Sequence, residues 1–326
     1  MKSALVTGGA GFIGSHLVDS LLAENWIVTV IDSFDSFYDP MLKRCNVEAH
    51  SANRNYRLLE GDIRDRDFLE STVGGDYHVI VHLAARAGVL PSLRDPVLYA
   101  DVNMTGTQNM LELARRQRIP QFVFASSSSV YGTNPNVPWR EDDATLRPIS
   151  PYAATKVSSE LMGHTYSHLF GIRFLAMRFF TAYGPRQRPD LAIHKFARLI
   201  SEAKPIQLYG DGQTRRDYTY VGDLITGIQA AMTYDASPFE IFNLGSGRPK
   251  QLQDLLEALQ RVMGSKAELT WSPLPPGDVP QTVADVSKAG RLLGYNPTTD
   301  FETGLGHFYQ WFEKTERAVR HAVPMS

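Results

Sequence analysis

Tyr152 and Lys156 stand four positions apart in "SPYAATKVSSE", a spacing that on a helix stacks both side chains on one face. A phenol with an acid constant near ~10 is a poor base at neutral pH, and a neighbouring ammonium favours the phenolate. The pair suits general acid–base work on an alcohol, next to a hydride-accepting cofactor. Ser150 and Pro151 supply the helix start, as N-cap and first-turn proline. Upstream, the apolar run of "FVFASSSSVYG" ends in four successive hydroxyls, Ser126 to Ser129. Such a cluster either caps a strand end as a hydrogen-bonded turn or donates to a ligand, and the residue types leave both roles open.

A second chemistry-bearing stretch opens the chain. "VTGGAGFIGSHL" sets Gly8, Gly11 and Gly14 between a strand-like run and a helix-like run. Glycines so placed allow a tight turn, close approach of a pyrophosphate to backbone, and close helix–sheet packing. Phe12 and Ile13 then begin a helix whose N–H groups face the phosphates. The next strand-like run ends at Asp32, where a carboxylate can accept bonds from an adenosine ribose. The following Ser33 and Phe34 offer no arginine for a 2′-phosphate, which favours NAD over NADP. Asp62 and Ile63, after a third run, are placed to reach the adenine edge.

These groups need a frame. "SALVTG", "IVTVID", "YRLLEGD", "HVIVHLAA" and "QFVFAS" alternate with helical spacing in "FIGSHLVDSLLAE" and "VNMTGTQNMLELARRQ". That alternation predicts an α/β fold, a Rossmann-type doubly wound parallel sheet. "IRFLAMRFF" and "EIFNLG" read as later strands. Helices are predicted from about 194 to 203, over 252–263 and over 301–312, and "PLPPGDVPQ" as a loop. The simplest division is a cofactor domain over 1–178, with segments near 217–246 returning to it. A smaller interleaved lobe, mainly 179–326, is left to bind substrate. A net charge of −2 without basic runs argues against nucleic acid or a polybasic membrane patch. The lone Cys45 and unclustered histidines predict no disulfide and no metal, and fit a reducing cytoplasm. No apolar run is long enough to span a membrane, and no signal peptide is expected before "MKSALVTGGAG".

Taken in order, "TGGAGFIG", "GDIRD", "HLAA", "SSSSVYG", "PYAATK", "RFFTAYGP" and "YGDGQTRRDYTYVGDL" resemble the extended short-chain dehydrogenase/reductases that epimerise or dehydrate nucleotide sugars. "PPGDVP" and "ADVSKAGRLLGY" extend the match towards the C-terminus. The resemblance implies that Tyr152 takes the proton of the sugar C4 hydroxyl as hydride passes to NAD, giving a 4-keto sugar. It implies that Lys156 holds the nicotinamide ribose and keeps Tyr152 acidic, and that Ser127 lies beside the sugar oxygen. Leu83, Ala84, Ala85 and Asn103 are the further cofactor positions it implies. Related 4,6-dehydratases carry Asp and Glu where this chain has Ser128 and Ser129. Without those carboxyls, the expected outcome is return of hydride to the other face, a 4-epimerisation.

Hydroxyl donors at Ser128 and Ser129 suit a C6 carboxylate, and with "DSFDSFYDPMLKRCN" the chain looks most like the UDP-glucuronate 4-epimerase branch. Thr181 and Arg188 are expected at the carboxylate end. The branch's usual arginine after "AGV" is Leu90 here, with Arg86 nearby as a compensating cation. For the nucleotide, the resemblance implies Tyr209 on uracil, Arg216 or its neighbour Arg215 on the diphosphate, and Asp278 on the uridine ribose. Pro275 replaces an arginine common in glucose-type relatives. A homodimer is implied, with helices 98–117 and 151–170 pairing through Met110, Leu111, Leu161 and Met162. UDP-glucose 4-epimerisation, an N-acetylated sugar, or a non-catalytic NAD-binding regulator are the competing readings.

Overall fold

A computed structural model describes residues 1–143, 147–273 and 279–322, with 316–322 as backbone alone. Six strands come from the first part of the chain: β1 (Ser3–Thr7), β2 (Ile27–Asp32), β3 (Tyr56–Glu60), β4 (Val79–His82), β5 (Gln121–Ser127) and β6 (Arg173–Phe179). The strand Phe239–Leu244 returns to join them. All pair in parallel, in the order 239–244, β6, β5, β4, β1, β2, β3. The winding therefore reverses between β1 and β4, and a crevice opens beyond their carboxyl ends.

Successive residues point to opposite faces of this sheet, and each face needs an apolar cover. Ala4 and Val6 meet Leu17 and Leu21 of α1 (Phe12–Ala23) and Leu224 and Ile228 of the helix Val221–Met232. Leu5 and Ile80 meet Met110, Leu111 and Tyr166, from the helices Gly106–Gln117 and Pro151–Phe170. A separate core joins Phe196, Leu255, Leu259, Phe308 and Phe312 across the helices Ala192–Ser201, Leu252–Met263 and Phe301–Ala322. The middle helix has the predicted bounds. The helix predicted from about 194 begins two residues sooner, and the last one runs well past 312.

The turn after β1 depends on two glycines. Gly8 has φ +70°, in the left-handed region. A Cβ on Gly14 would lie 2.2 Å from the Gly8 carbonyl oxygen and 2.8 Å from the Gly9 Cα. Both are backbone atoms, so the clash has no side chain to absorb it. Gly14→Ala should lower stability by about 1–3 kcal/mol. A fall in the thermal unfolding midpoint would register this, and an unchanged midpoint would refute the close-packing account.

The segment 98–117 is helical throughout, with a π-helical turn, Asp101–Thr105, between Pro96–Ala100 and Gly106–Gln117. One expectation needs correction. Met110 and Leu111 are not available to a second copy, because both are fully buried against β4 and β5. Met162 packs partly on the same core, while Leu161 is 58% exposed. Among the described residues no helix is long and apolar enough to cross a membrane, and no three His, Cys, Asp or Glu side chains cluster as metal ligands.

Candidate active site

A cavity of about 640 Å³ follows the crevice from the glycine turn, past the serines, to the region of Tyr209 and Arg216. Its walls include Gly8, Gly11, Phe12, Ile13, Gly14, Asp32, Asp62, Ile63, Leu83, Ala84 and Ala85 at one end. Ser127, Ser128, Ser129, Tyr152, Lys156, Thr181 and Arg188 line its middle. The order of elements explains this gathering: the glycine turn, Asp32, Asp62, Leu83–Ala85, the serines and Thr181 follow the carboxyl ends of parallel strands, and the helix Pro151–Phe170 brings Tyr152 and Lys156 to the same crevice.

The four serines divide the work. Ser126 also borders the cavity, but its hydroxyl is committed to Glu160, to which it donates at 2.5 Å. Ser127 is the N-cap of a 3₁₀ turn over Ser128–Tyr131, its Oγ accepting from the Ser129 N–H at 3.1 Å and the Ser129 hydroxyl at 2.9 Å. The Ser127 hydroxyl also hydrogen-bonds the Tyr152 phenol. A capping turn and a cavity-facing row are thus the same structure.

The tyrosine helix starts as its sequence dictates, with Ser150 Oγ accepting from the Ala153 N–H at 3.1 Å and Pro151 in the first turn. Burial pushes the Tyr152 phenol above its ordinary value, opposed by the Ser127 hydrogen bond and the positive charge of Arg188. Lys156 is buried, donates to the Ala125 carbonyl at 2.7 Å, and is lowered by burial to about 7, with Glu160 pulling the other way. The groups that draw Tyr152 toward acidity in this structure are Ser127 and Arg188. The Lys156 ammonium lies 5.8 Å from the centre of the Tyr152 ring and spends a hydrogen bond on the sheet.

At the glycine end the residues fit a dinucleotide. Gly11 precedes α1 and takes no side-chain cap, so the helix N–H groups open onto the cavity. Asp32 is held by the N–H groups of Phe34 at 2.9 Å and Ala10 at 3.2 Å, with Lys43 Nζ at 3.7 Å. Asp62 also lines the cavity, though Arg64 grips its carboxylate at 2.8 Å. Burial opposes that charge, but the Arg64 hydrogen bonds outweigh it and leave Asp62 below the usual carboxylate range.

Asn103 is not on the cavity wall. The π-helical turn directs its side chain inward, where it accepts from the Arg86 N–H at 2.8 Å and donates to the Arg86 carbonyl and the Thr155 hydroxyl, each at 3.0 Å. Arg86 does line the cavity, and each of the two arginines here carries its own anion: Asp35 pairs with Arg86 at 2.8 Å and Asp190 with Arg188 at 2.7 Å. At the far end Tyr209 and Arg216 line the cavity, whereas Arg215 is exposed off it. Asp278 lies outside the described residues. Sequence reasoning missed Asp35, Phe37, Tyr38, Lys43, Trp139 and Thr282 as lining residues. The only signal for the first four was the density of aromatic and charged residues in "DSFDSFYDPMLK".

Residues 5–308 match the family model described as GDP-mannose 4,6 dehydratase. The chain is 39% identical to UDP-glucuronate 4-epimerase of Thermodesulfobacterium geofontis, over 97% of this chain and 98% of that one. Its fold is similar to that of UDP-glucuronic acid 4-epimerase from Bacillus cereus, solved with UDP-glucuronic acid and NAD. The TM-score is 0.89 at 35% identity, covering 96% of this chain and 99% of the other. UDP-glucose 4-epimerase from Thermotoga maritima, solved with UDP-glucose, follows at a TM-score of 0.87 and 32% identity, covering 96% and 99%. A glycine turn, a Tyr–Lys helix and a serine-edged strand around one crevice, matched over nearly the whole length, make this chain a member of the extended short-chain dehydrogenase/reductases that act on nucleotide sugars.

Proposed function

We propose that the protein is an NAD-dependent UDP-sugar 4-epimerase whose preferred reaction interconverts UDP-glucuronate and UDP-galacturonate. One observation carries the reading. Among the described residues lining the cavity, the carboxylates are Asp32, Asp35 and Asp62, all at the glycine end or already paired with arginine. Around Tyr152 the wall is made of Ser127, Ser128, Ser129 and Thr181 hydroxyls, with Arg188 beside them. Elimination needs a general acid for the leaving hydroxyl and a base for the C5 proton, and a serine hydroxyl is not such a base near neutral pH. The family model is described by a dehydratase, yet this wall lacks a dehydratase's carboxyl pair.

NAD held along Gly8–Gly14, Asp32 and Leu83–Ala85 supplies the hydride acceptor. Tyr152 takes the C4 hydroxyl proton and later returns it, with Ser127 hydrogen-bonded to the reacting oxygen. Lys156 binds the nicotinamide ribose and, once its ammonium is charged, favours the phenolate. Ser128, Ser129, Thr181 and Arg188 receive the C6 carboxylate, where donors and a cation are roughly twice as effective as for a neutral group. Tyr209, Arg216 and Asp278 take the uridine diphosphate. In this reading residues 1–178, with 217–246 returning, hold the cofactor, and the remainder holds the UDP-sugar. The reading includes a homodimer through the outer side of the helix Pro151–Phe170, supported by exposed Leu161 and Leu169. It also includes a reducing cytoplasm, supported by the unpaired, exposed Cys45.

Purified protein incubated with UDP-glucuronate should yield UDP-galacturonate, separated by ion-exchange chromatography, with bound NAD released on denaturation. Faster conversion of UDP-glucose in competition would move the assignment to the glucose-type enzymes. Absence of any UDP-hexose conversion by NAD-loaded protein would favour the non-catalytic regulator.

A further inference from the structure

The loop after β2 carries a contact that the reading above does not use. The guanidiniums of Arg86 and Arg188 both lie over the ring of Phe37, each 5.2 Å from its centre. All three residues line the cavity. Two like charges share one aromatic ring here because each brings its own anion: Arg86 pairs with Asp35 at 2.8 Å and Arg188 with Asp190 at 2.7 Å. One side of the assembly is fixed. Asn103 clamps the Arg86 backbone through both its N–H and its carbonyl. Asp35 in turn accepts from the Phe37 N–H at 2.8 Å, so the ring is tied to the residue that holds Arg86. The other side is the cation whose charge reaches Tyr152. Asp190 takes the Nε and Nη2 edge of Arg188, and the face of the planar guanidinium stacks on the Phe37 ring as a second support.

We propose that Phe37 is a positioning residue for anionic sugars: its ring, anchored through Asp35 and Arg86, sets the guanidinium of Arg188 against the sugar carboxylate. The inference rests on the UDP-glucuronate reading and deepens it. A neutral hexose has no group for the charge of Arg188 to engage, so removing the ring penalises the acid sugar alone. The same loop begins at Asp32, so the arrangement also makes the strand that faces the cofactor ribose the support for sugar selection.

Calorimetric titration of NAD-loaded Phe37→Ala and Phe37→Tyr with UDP-glucuronate and with UDP-glucose tests this. Phe37→Ala should weaken UDP-glucuronate about tenfold and UDP-glucose by less than about twofold, as expected for loss of a desolvated cation–π contact. Phe37→Tyr, which keeps a π face, should restore wild-type selectivity. Equal weakening of both ligands would make Phe37 a merely structural part of the loop and overturn the proposal, as would no weakening of either. The measurement is of binding, so wild-type protein that binds UDP-glucuronate without converting it would refute the epimerase reading while leaving the Phe37 comparison decisive.

Discussion

Tyr152→Phe is expected to lower turnover of UDP-glucuronate by about a thousandfold, in the middle of the range for loss of a general acid–base group. Bound NAD and the thermal unfolding midpoint should stay near wild type. The substitution removes one oxygen from a ring that still meets Tyr99 edge-on at 6.2 Å. Ser127 loses its phenolic partner but keeps both bonds from Ser129, so the serine turn has no reason to open. The loss should therefore fall on kcat, with the KM for UDP-glucuronate little changed, because the proton is moved only in the chemical step. A single-turnover measurement with the NAD-loaded variant separates this from slow product release. Turnover equal to wild type would remove Tyr152 from the chemistry and with it the proposed mechanism.

What the sequence made legible was local. The sheet strands and the helices Phe12–Ala23 and Leu252–Met263 carry their own periodicity, and Tyr152 with Lys156 needs only helical spacing. The helix Val221–Met232 was not legible, because Gly222 and Gly227 depress its propensity. Packing overrides them: a Cβ at Gly227 would come within 2.8 Å of Leu244, so the small residue is what lets this helix lie on the sheet. The fate of Arg86 was likewise hidden. Its number places it near the cavity, but only the folded loop shows that Asp35 neutralises it and Phe37 covers it. Asn103 turned inward because five residues form a π-helical turn where periodicity suggested continuous α-helix. For the helix and for Arg86 a contact between segments far apart in sequence decided the outcome; for Asn103 the local π-helical turn did.

Glu160→Gln should be the most damaging change outside the cavity. Glu160 receives Arg178 through two bonds, at 3.0 and 2.8 Å, and the Ser126 hydroxyl at 2.5 Å, with both ionic side chains buried. Removing one charge of such a pair strands the other and typically costs about 3–5 kcal/mol. A large drop in the thermal midpoint is expected. Replacing both, as Glu160→Met with Arg178→Met, should recover most of it, since a packed apolar pair avoids desolvation. Chemistry should not recover with it. Lys156 sits one turn before Glu160, facing Phe124 and the Ala125 carbonyl on β5. Across from it, His82 on β4 is lowered by burial, and by Lys156 itself, to about 3, and so is uncharged. Burial holds Lys156 at about 7, and Glu160 is the group opposing that fall. Without Glu160 the ammonium should give up its proton below about 7, so the alkaline limb of kcat should move to lower pH in both the single and the double variant. The sign for stability agrees. A lysine depressed from 10.5 to about 7 takes up a proton on unfolding between those values, so its burial weakens the fold at neutral pH and ceases to do so above 10.5. A double variant with wild-type stability and an unmoved pH profile would show that Glu160 serves packing alone.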